Sequence, residues 1–272
     1  MVNMRKIPVC VGPTAISKTL GVETSIGGAA GWKVPAGTKA ILSVKVSYSL
    51  AGVNDDVLPK IARVRIYSED LKIEPCTVYA APIGSLKTSG NGDQSEAPEY
   101  PLNIRCNGGE TIFFYGTQIV TTTTAGSMAI TVTISNESPT GPQYFYKTAA
   151  VVYALPVTAD LKTTDPTVYT VSGGMKITGV YGMAWQTVAA AATGIAGRYM
   201  LESADFKAAI NPSWANERGN SFLSVGENPC SICKVEGLDF LIAETTNITQ
   251  AFYNLATIAV GAFITGVQFT KQ

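Results

Sequence analysis

Catalytic chemistry in this 272-residue chain would have to work without histidine, because the sequence contains none. That removes the commonest general base and the commonest metal ligand together. Cys230-Ser231-Ile232-Cys233 is the one CxxC spacing. A structural zinc site needs two further ligands at matching spacing, and Cys10, Cys76 and Cys106 are scattered singly. A thioredoxin-like centre needs a βαβ setting that this region lacks. Packed small hydrophobes or a local disulfide suit the pair better. Ser231 and Lys234 have the S-x-x-K spacing of a serine acyl-enzyme, without that class's companion motifs. Asp55/Asp56 and Glu69/Asp70 are neighbours on turns. Glycosidic cleavage needs two carboxylates facing each other across about 5–9.5 Å, which is a different arrangement. Asn54-Asp55-Asp56 lacks the spaced oxygen array of a calcium loop. Gly90-Asn91-Gly92 is Gly-rich but opens no helix, so it is not a phosphate loop.

No catalytic, cofactor-binding or metal-binding residue is therefore assigned, and the chain reads as a non-enzyme. Trp32 and Trp214 lie in loop-like sequence and are the candidates for a subunit interface or a ligand platform. Trp185 ends a strand and suits packing. Asn136-Glu137-Ser138 and Asn247-Ile248-Thr249 match the glycosylation sequon, which matters only where a glycosylation machinery is met.

The bulk numbers narrow the class. Twenty basic and 20 acidic residues give a formal net charge of zero, and neither half has the basic excess of a nucleic-acid binder. Charged residues make up 15 %, against about 25 % for typical soluble domains. Mean hydropathy is +0.18. No window reaches the roughly 18 uninterrupted apolar residues of a spanning helix; the least polar ones, Thr187–Ala196 and Leu255–Val267, are broken by Thr and Gly. Such a chain is expected to have part of its surface covered by neighbours. Met1–Pro8 lacks the apolar stretch of a secretory signal, which implies synthesis in the cytoplasm. Five cysteines make no disulfide scaffold.

The elements that must carry any site are strands. Short β-branched and aromatic runs with period-two alternation, cut by Gly, Pro, Asn and Asp, predict strands at Ala40–Ser49, Ala62–Tyr67, Thr111–Tyr115, Ala129–Ser135 and Tyr144–Leu155. Further strands are expected at Met175–Trp185, Arg198–Leu201, Leu238–Ala243 and Ile258–Phe269. Short helical turns are expected at Glu69–Ile73 and Ala204–Ile210, each capped by a preceding serine, Ser68 or Ser203. Two long polar loops, Thr88–Pro101 and Asn211–Pro229, fall between corresponding strands, where contacts or function usually sit.

The two turns belong to a repeat. Arg63, Ser68, Asp70 and Lys72 match Arg198, Ser203, Asp205 and Lys207 at one constant spacing. Lys45–Tyr48 matches Tyr181–Ala184, Gly109–Phe113 resembles Gly237–Leu241, and Met128–Ile134 resembles Ile258–Ile264, in the same order. This implies two tandem β-sandwich domains, 1–155 and 156–272, with the boundary near Leu155–Asp160.

Two sandwiches, short turns, long inter-strand loops and near-zero charge together resemble the double jelly-roll major capsid proteins of icosahedral viruses. The resemblance covers the whole chain and is architectural. It implies an all-β fold of two tandem eight-stranded jelly rolls side by side, with three copies forming a pseudo-hexagonal capsomer. It also implies homotrimers in a capsid lattice, contact with other virion proteins, location in the virion, no cofactor and no specific nucleic-acid binding. Met1–Ile26, poor in strand signals, would then be an arm reaching a neighbour or an internal membrane. Two rivals stay open: a carbohydrate-binding or adhesin sandwich of a phage tail or cell surface, using Trp32 or Trp214, and a hydrolase using a carboxylate pair.

Overall fold

Alternating apolar and polar residues give a strand one face for a core and one for water, and here the alternation is regular. Along Ala62–Ser68 every second residue is buried, and Gly126–Ile134 repeats the pattern over nine residues. The computed structural model describes residues 6–50, 62–82, 99–119, 125–155, 158, 161–186, 197–203, 233–254 and 261–271. The first strands are β1 (Lys6–Ile16), β2 (Thr24–Ile26), β3 (Trp32–Lys33), β4 (Ala40–Leu50), β5 (Ala62–Ser68) and β6 (Ile73–Pro82). Then come β7 (Glu99–Arg105), β8 (Thr111–Gln118), β9 (Gly126–Ser135), β10 (Tyr144–Thr148), β11 (Tyr153–Leu155) and β12 (Lys162–Val171). The chain ends with β13 (Met175–Gln186), β14 (Gly197–Glu202), β15 (Cys233–Leu241), β16 (Thr246–Asn254) and β17 (Gly261–Lys271).

In the first half, β1-β9-β4 with β7 on β4 forms one layer, and β2 and β3 on β8, then β5 and β6, form the other. A short parallel contact, Ser47 to Ala81 and Tyr48 to Pro82, links the two into a 9-stranded sheet. The second half repeats this order. β10 and β11 pair with β17, then come β13 and β15, opposite a 3-stranded sheet β12-β16-β14. β17 takes the place of β9, β13 of β4, β15 of β7, β16 of β8 and β14 of β5. This connectivity is that of two tandem jelly rolls.

The repeat is close to residue-exact. Ala40 and Met175, Ala62 and Gly197, Thr111 and Thr246, and Gly126 and Gly261 each open equivalent strands, and each pair lies 135 positions apart. A register shift interrupts β4 between Ile41 and Ser43, and another interrupts β13 between Ile177 and Gly179. The matched serines now have a job. The Ser68 hydroxyl donates to the Thr111 carbonyl at 2.7 Å and accepts from the Leu71 amide at 3.2 Å. The Asp70 carboxylate accepts from the Thr111 amide at 2.7 Å. In the second roll Ser203 meets the Thr246 hydroxyl at 2.9 Å. In both rolls a serine at or just past the end of one strand thus fastens it to the first residue of its neighbour.

Several expectations need correction. Residues 6–26 do not form an arm: β1 pairs with β9 along its length, β2 pairs with β8, and Ile16 and Ile26 are buried. Glu69–Lys72 is a tight turn, with Lys72 at φ 49° and its amide bonded to the Glu69 carbonyl at 3.0 Å, and Ile73 already opens β6. Ala204–Ile210 lies outside the described residues. Tyr144–Leu155 is two strands, and both pair with β17, so they sit in the second roll's sheet although they precede residue 156. Gly109–Phe113 opens β8 whereas Gly237–Leu241 lies in β15, the counterpart of β7, so that one match pairs non-equivalent strands.

Two clusters fill the rolls. Val11, Val44, Ile66, Phe114, Ile130 and their neighbours form the first core. Tyr169, Ile177, Val180, Ile248, Val267 and Phe269 are among the residues of the second.

Candidate functional site: the joint between the rolls

Along β10, β13 and β17 successive residues serve different cores. Val180, Val267 and Phe269 point into the second roll, while Tyr146, Tyr181 and Ile264 belong to the first roll's cluster. The five-stranded sheet is therefore covered on both faces. Its outer cover comes from β6 and β7.

Four buried tyrosines form that contact: Tyr79, Tyr100, Tyr146 and Tyr181 are at most 2 % exposed. Their rings meet edge-on or tilted, with centroids 6.2 Å apart for Tyr79–Tyr181, 5.3 Å for Tyr100–Tyr146, 5.9 Å for Tyr100–Tyr181 and 6.0 Å for Tyr146–Tyr181. These are the favourable arrangements of ring quadrupoles. A buried phenol needs a hydrogen-bond partner, and each hydroxyl has one. Tyr79 Oη lies 2.8 Å from the Thr265 carbonyl and 3.1 Å from that of Ala149. Tyr100 donates to the Tyr79 carbonyl at 2.9 Å, Tyr146 to Pro101 at 2.8 Å and Tyr181 to Thr77 at 3.3 Å. Gln268 Nε2 donates to Tyr146 Oη at 2.7 Å. Side chains of β6 also satisfy the free edge of β10: the Tyr146 amide donates to Cys76 Sγ at 3.3 Å and the Thr148 amide to Thr77 Oγ1 at 2.8 Å. Gly266 leaves room for Tyr181, since a Cβ there would sit 2.4 Å from the ring.

Burial sets the titration of this region. It pushes the Tyr100 and Tyr181 phenols upward and the Cys76 thiol up to about 12. Cys106 is raised to about 11, by burial first and then by the Glu110 charge. Since the thiolate is the reactive form, iodoacetamide at pH 8 should label exposed Cys10 in the dilute native chain and leave Cys76 and Cys106 untouched until denaturant is added. Peptide mass spectrometry would read this. Native labelling of Cys76 at the rate of Cys10 would mean that the joint opens freely.

Beside the joint an open cleft of about 600 Å3 is walled by Pro101, Pro142, Tyr144, Thr178 and a Lys176–Asp239 ion pair at 2.6 Å. The hydroxyl of Thr178 and the amide of Gln268 bond each other across its floor at 3.3 Å. These two pairs on its walls are thus committed to one another.

Of the residues singled out from sequence, the structure describes only a part. Trp32 lies in the short strand β3, partly buried against the first core, its ring 6.3 Å from Phe114. Trp214, Asp55, Asp56, Gly90–Gly92, Cys230, Ser231 and both long loops up to Glu99 and Cys233 lie outside the described residues. Glu69 accepts from Tyr67 Oη at 2.8 Å and Asp70 caps β8, so this carboxylate pair has structural duties. Asn247 accepts from the Thr170 hydroxyl at 2.8 Å, and Asn136 stands exposed after β9. No group of three or more His, Cys, Asp or Glu side chains that could hold a metal occurs among the described residues. No helix among them is long and apolar enough to cross a membrane. The sequence offered no pointer to the tyrosine joint beyond the strands expected at Tyr144–Leu155 and Met175–Trp185.

No protein-family model and no curated protein matches the chain. Among solved structures it is similar to the major capsid protein of Sulfolobus turreted icosahedral virus, at 11 % identity and a TM-score of 0.48, over 97 % of this chain and 96 % of that one. It is also similar to the major capsid protein of bacteriophage PM2, at 13 % identity and a TM-score of 0.39, over 97 % of each. A third likeness, at 9 % identity and a TM-score of 0.38 over 97 % of this chain and 96 % of that one, is to a peptide-N(4)-(N-acetyl-β-D-glucosaminyl) asparagine amidase. The likeness lies in strand architecture, which shell proteins and an amidase share, so function has to come from the chain's own residues.

Proposed function

We propose that the chain is a structural shell protein, a major capsid protein whose copies associate as trimers and tile an icosahedral lattice in the virion. The observation that carries this reading is the joint. Two rolls of equivalent topology are fixed edge to face through buried aromatic rings and hydrogen bonds. A hinge would suit an enzyme that closes on substrate, whereas a lattice needs a block that keeps its shape while presenting the same fold twice. Low charge and zero net charge reduce self-repulsion and favour close association. Partners in this reading are other copies of the chain and other virion proteins, and no residue is given a catalytic role.

Light scattering on the purified protein, with electron microscopy of the same sample, tests it. The expected result is trimers or larger regular particles. A stable monomer at high concentration would sink the shell reading, and glycan screening with Trp32 and Trp214 variants would follow for the adhesin alternative.

A further inference from the structure

A strand bulge opens the cleft beside the joint. Gly237, Leu238 and Asp239 of β15 stand opposite Thr178 alone, at the register shift between Ile177 and Gly179, and Gly237 takes φ 81°. Bulges re-aim side chains and are common beside functional sites. The cleft holds about 600 Å3, within the range of about 300–1,000 Å3 usual for small-molecule sites. Its walls come from both rolls, since Pro101 lies on β7 of the first and Lys176, Thr178, Asp239 and Thr270 lie on strands of the second.

The lining carries polar groups that folding leaves unused. Thr270 lines the cleft and is only 5 % exposed, yet its hydroxyl has no hydrogen-bond partner among the described residues. Buried hydroxyls ordinarily have one, and leaving one unmade is destabilising. The Thr178 hydroxyl meets Gln268 at 3.3 Å, long for an O–H donor. At the rim Lys176 holds Asp239 through Oδ1, while the Asp239 side chain is 75 % exposed and its Oδ2 has no protein donor among the described residues. A donor and an acceptor thus stand side by side with their charges balanced. Pro101, Pro142, Tyr144 and Leu238 make much of the remaining wall apolar.

We propose that this cleft binds a neutral mono- or disaccharide. An anion would meet Asp239 at the rim, and a cation would meet Lys176 and Lys271. A pyranose meets neither repulsion. Its adjacent hydroxyls both donate and accept, which suits the Lys176–Asp239 pair, and a further hydroxyl satisfies Thr270. Its C–H face packs on the proline and tyrosine side chains. Because two rolls supply the walls, the sugar binds only the joined molecule and stabilises it by mass action. This site goes beyond the shell reading and does not depend on it.

The full-length protein is titrated by calorimetry with glucose, galactose, mannose, N-acetylglucosamine, maltose and lactose, with glucuronate and glucosamine as charged controls. Wild type is compared with Asp239→Ala, Thr270→Val and Lys18→Ala, the last an exposed residue outside the cleft. At least one neutral sugar should bind saturably with a dissociation constant of about 1 mM or below. D239A and T270V should weaken that binding at least about tenfold, and K18A should leave it unchanged. T270V keeps the side chain's shape and should melt no lower than wild type, so its lost binding reports the hydroxyl. The bound sugar should also raise the melting temperature of wild type. No saturable binding of any neutral sugar, binding that both cleft variants retain, or tighter binding of glucuronate or glucosamine than of the neutral sugars would overturn the inference. Light scattering on the same samples reads assembly separately. Particles that bind no sugar overturn this inference and leave the shell reading standing, and a monomer that binds sugar does the reverse.

Discussion

Tyr79→Ala should cost about 3–5 kcal/mol of stability, the range for removing a large buried ring. Three losses add up at that site. The ring leaves a void against Tyr181, in a region where every neighbour is fully packed. Its hydroxyl no longer meets the Thr265 carbonyl, although that oxygen keeps the Ala149 amide as a donor at 3.0 Å. The edge-on pairing with Tyr181, worth about 0.5–1.5 kcal/mol in such pairs, disappears as well. Tyr79→Phe keeps the ring and should cost about 1 kcal/mol. Guanidinium unfolding followed by circular dichroism separates the two variants. Because Tyr79 sits between the rolls rather than inside one, its alanine variant should also unfold in two steps where wild type unfolds in one. A loss below about 1 kcal/mol, or a single unchanged transition, would show that the rolls do not depend on this joint.

Which parts of the architecture could be read beforehand follows from how each strand is covered. Strands with one wet face, such as β5 and β9, carry clean alternation and stood out. β1, β7 and β12 did not, because Pro8 and Pro13, Pro101, and Pro166 interrupt them. Proline donates no ladder hydrogen bond and is confined to edges and bulges. β7 and β12 each pair with one strand, β1 lies at the end of its layer, and Pro166 falls in the register shift between Asp165 and Tyr169. Those prolines therefore mark edge strands rather than loops, and the few strand signals they left over Met1–Ile26 produced the supposed arm at the N-terminus.

The repeat was legible through Ser68 and Ser203 because both do the same work, tying one strand to the first residue of the next. It was misread at Gly237, where a glycine at φ 81° inside β15 resembles the turn glycine Gly109, at φ 91°. The joint was hidden for another reason. Tyrosines on a strand read as ordinary half-buried residues, and only the packing of two rolls against each other shows that Tyr181 and Tyr146 are buried on the side away from their own core. Trp32 was singled out for its loop-like sequence, and it sits in the short strand β3, partly buried against the first core.

Alkali should dismantle the molecule through the same tyrosines. Burial raises the Tyr48 phenol to about 12 and holds Tyr100 and Tyr181 above their ordinary range. A phenol is neutral when protonated, so the folded chain keeps these protons to higher pH than the unfolded chain, whose tyrosines ionise near 10. Where the native state binds more protons, stability falls as pH rises. The stabilisation is therefore complete below pH 10 and is lost as pH climbs toward the raised native values. The guanidinium midpoint should change little between pH 6 and 8, then drop steeply from about pH 10 to 12. Phenolate absorbance should rise in a late step that coincides with loss of circular dichroism, because a buried tyrosine gives up its proton only when the joint opens. Tyr181→Phe removes one of these protons and should make the alkaline limb shallower, even if the variant is less stable at neutral pH. A midpoint unchanged from pH 8 to 11, or full phenolate absorbance in a protein that is still folded, would mean that these hydroxyls reach water, and the two rolls would then not be the single rigid block on which the shell reading depends.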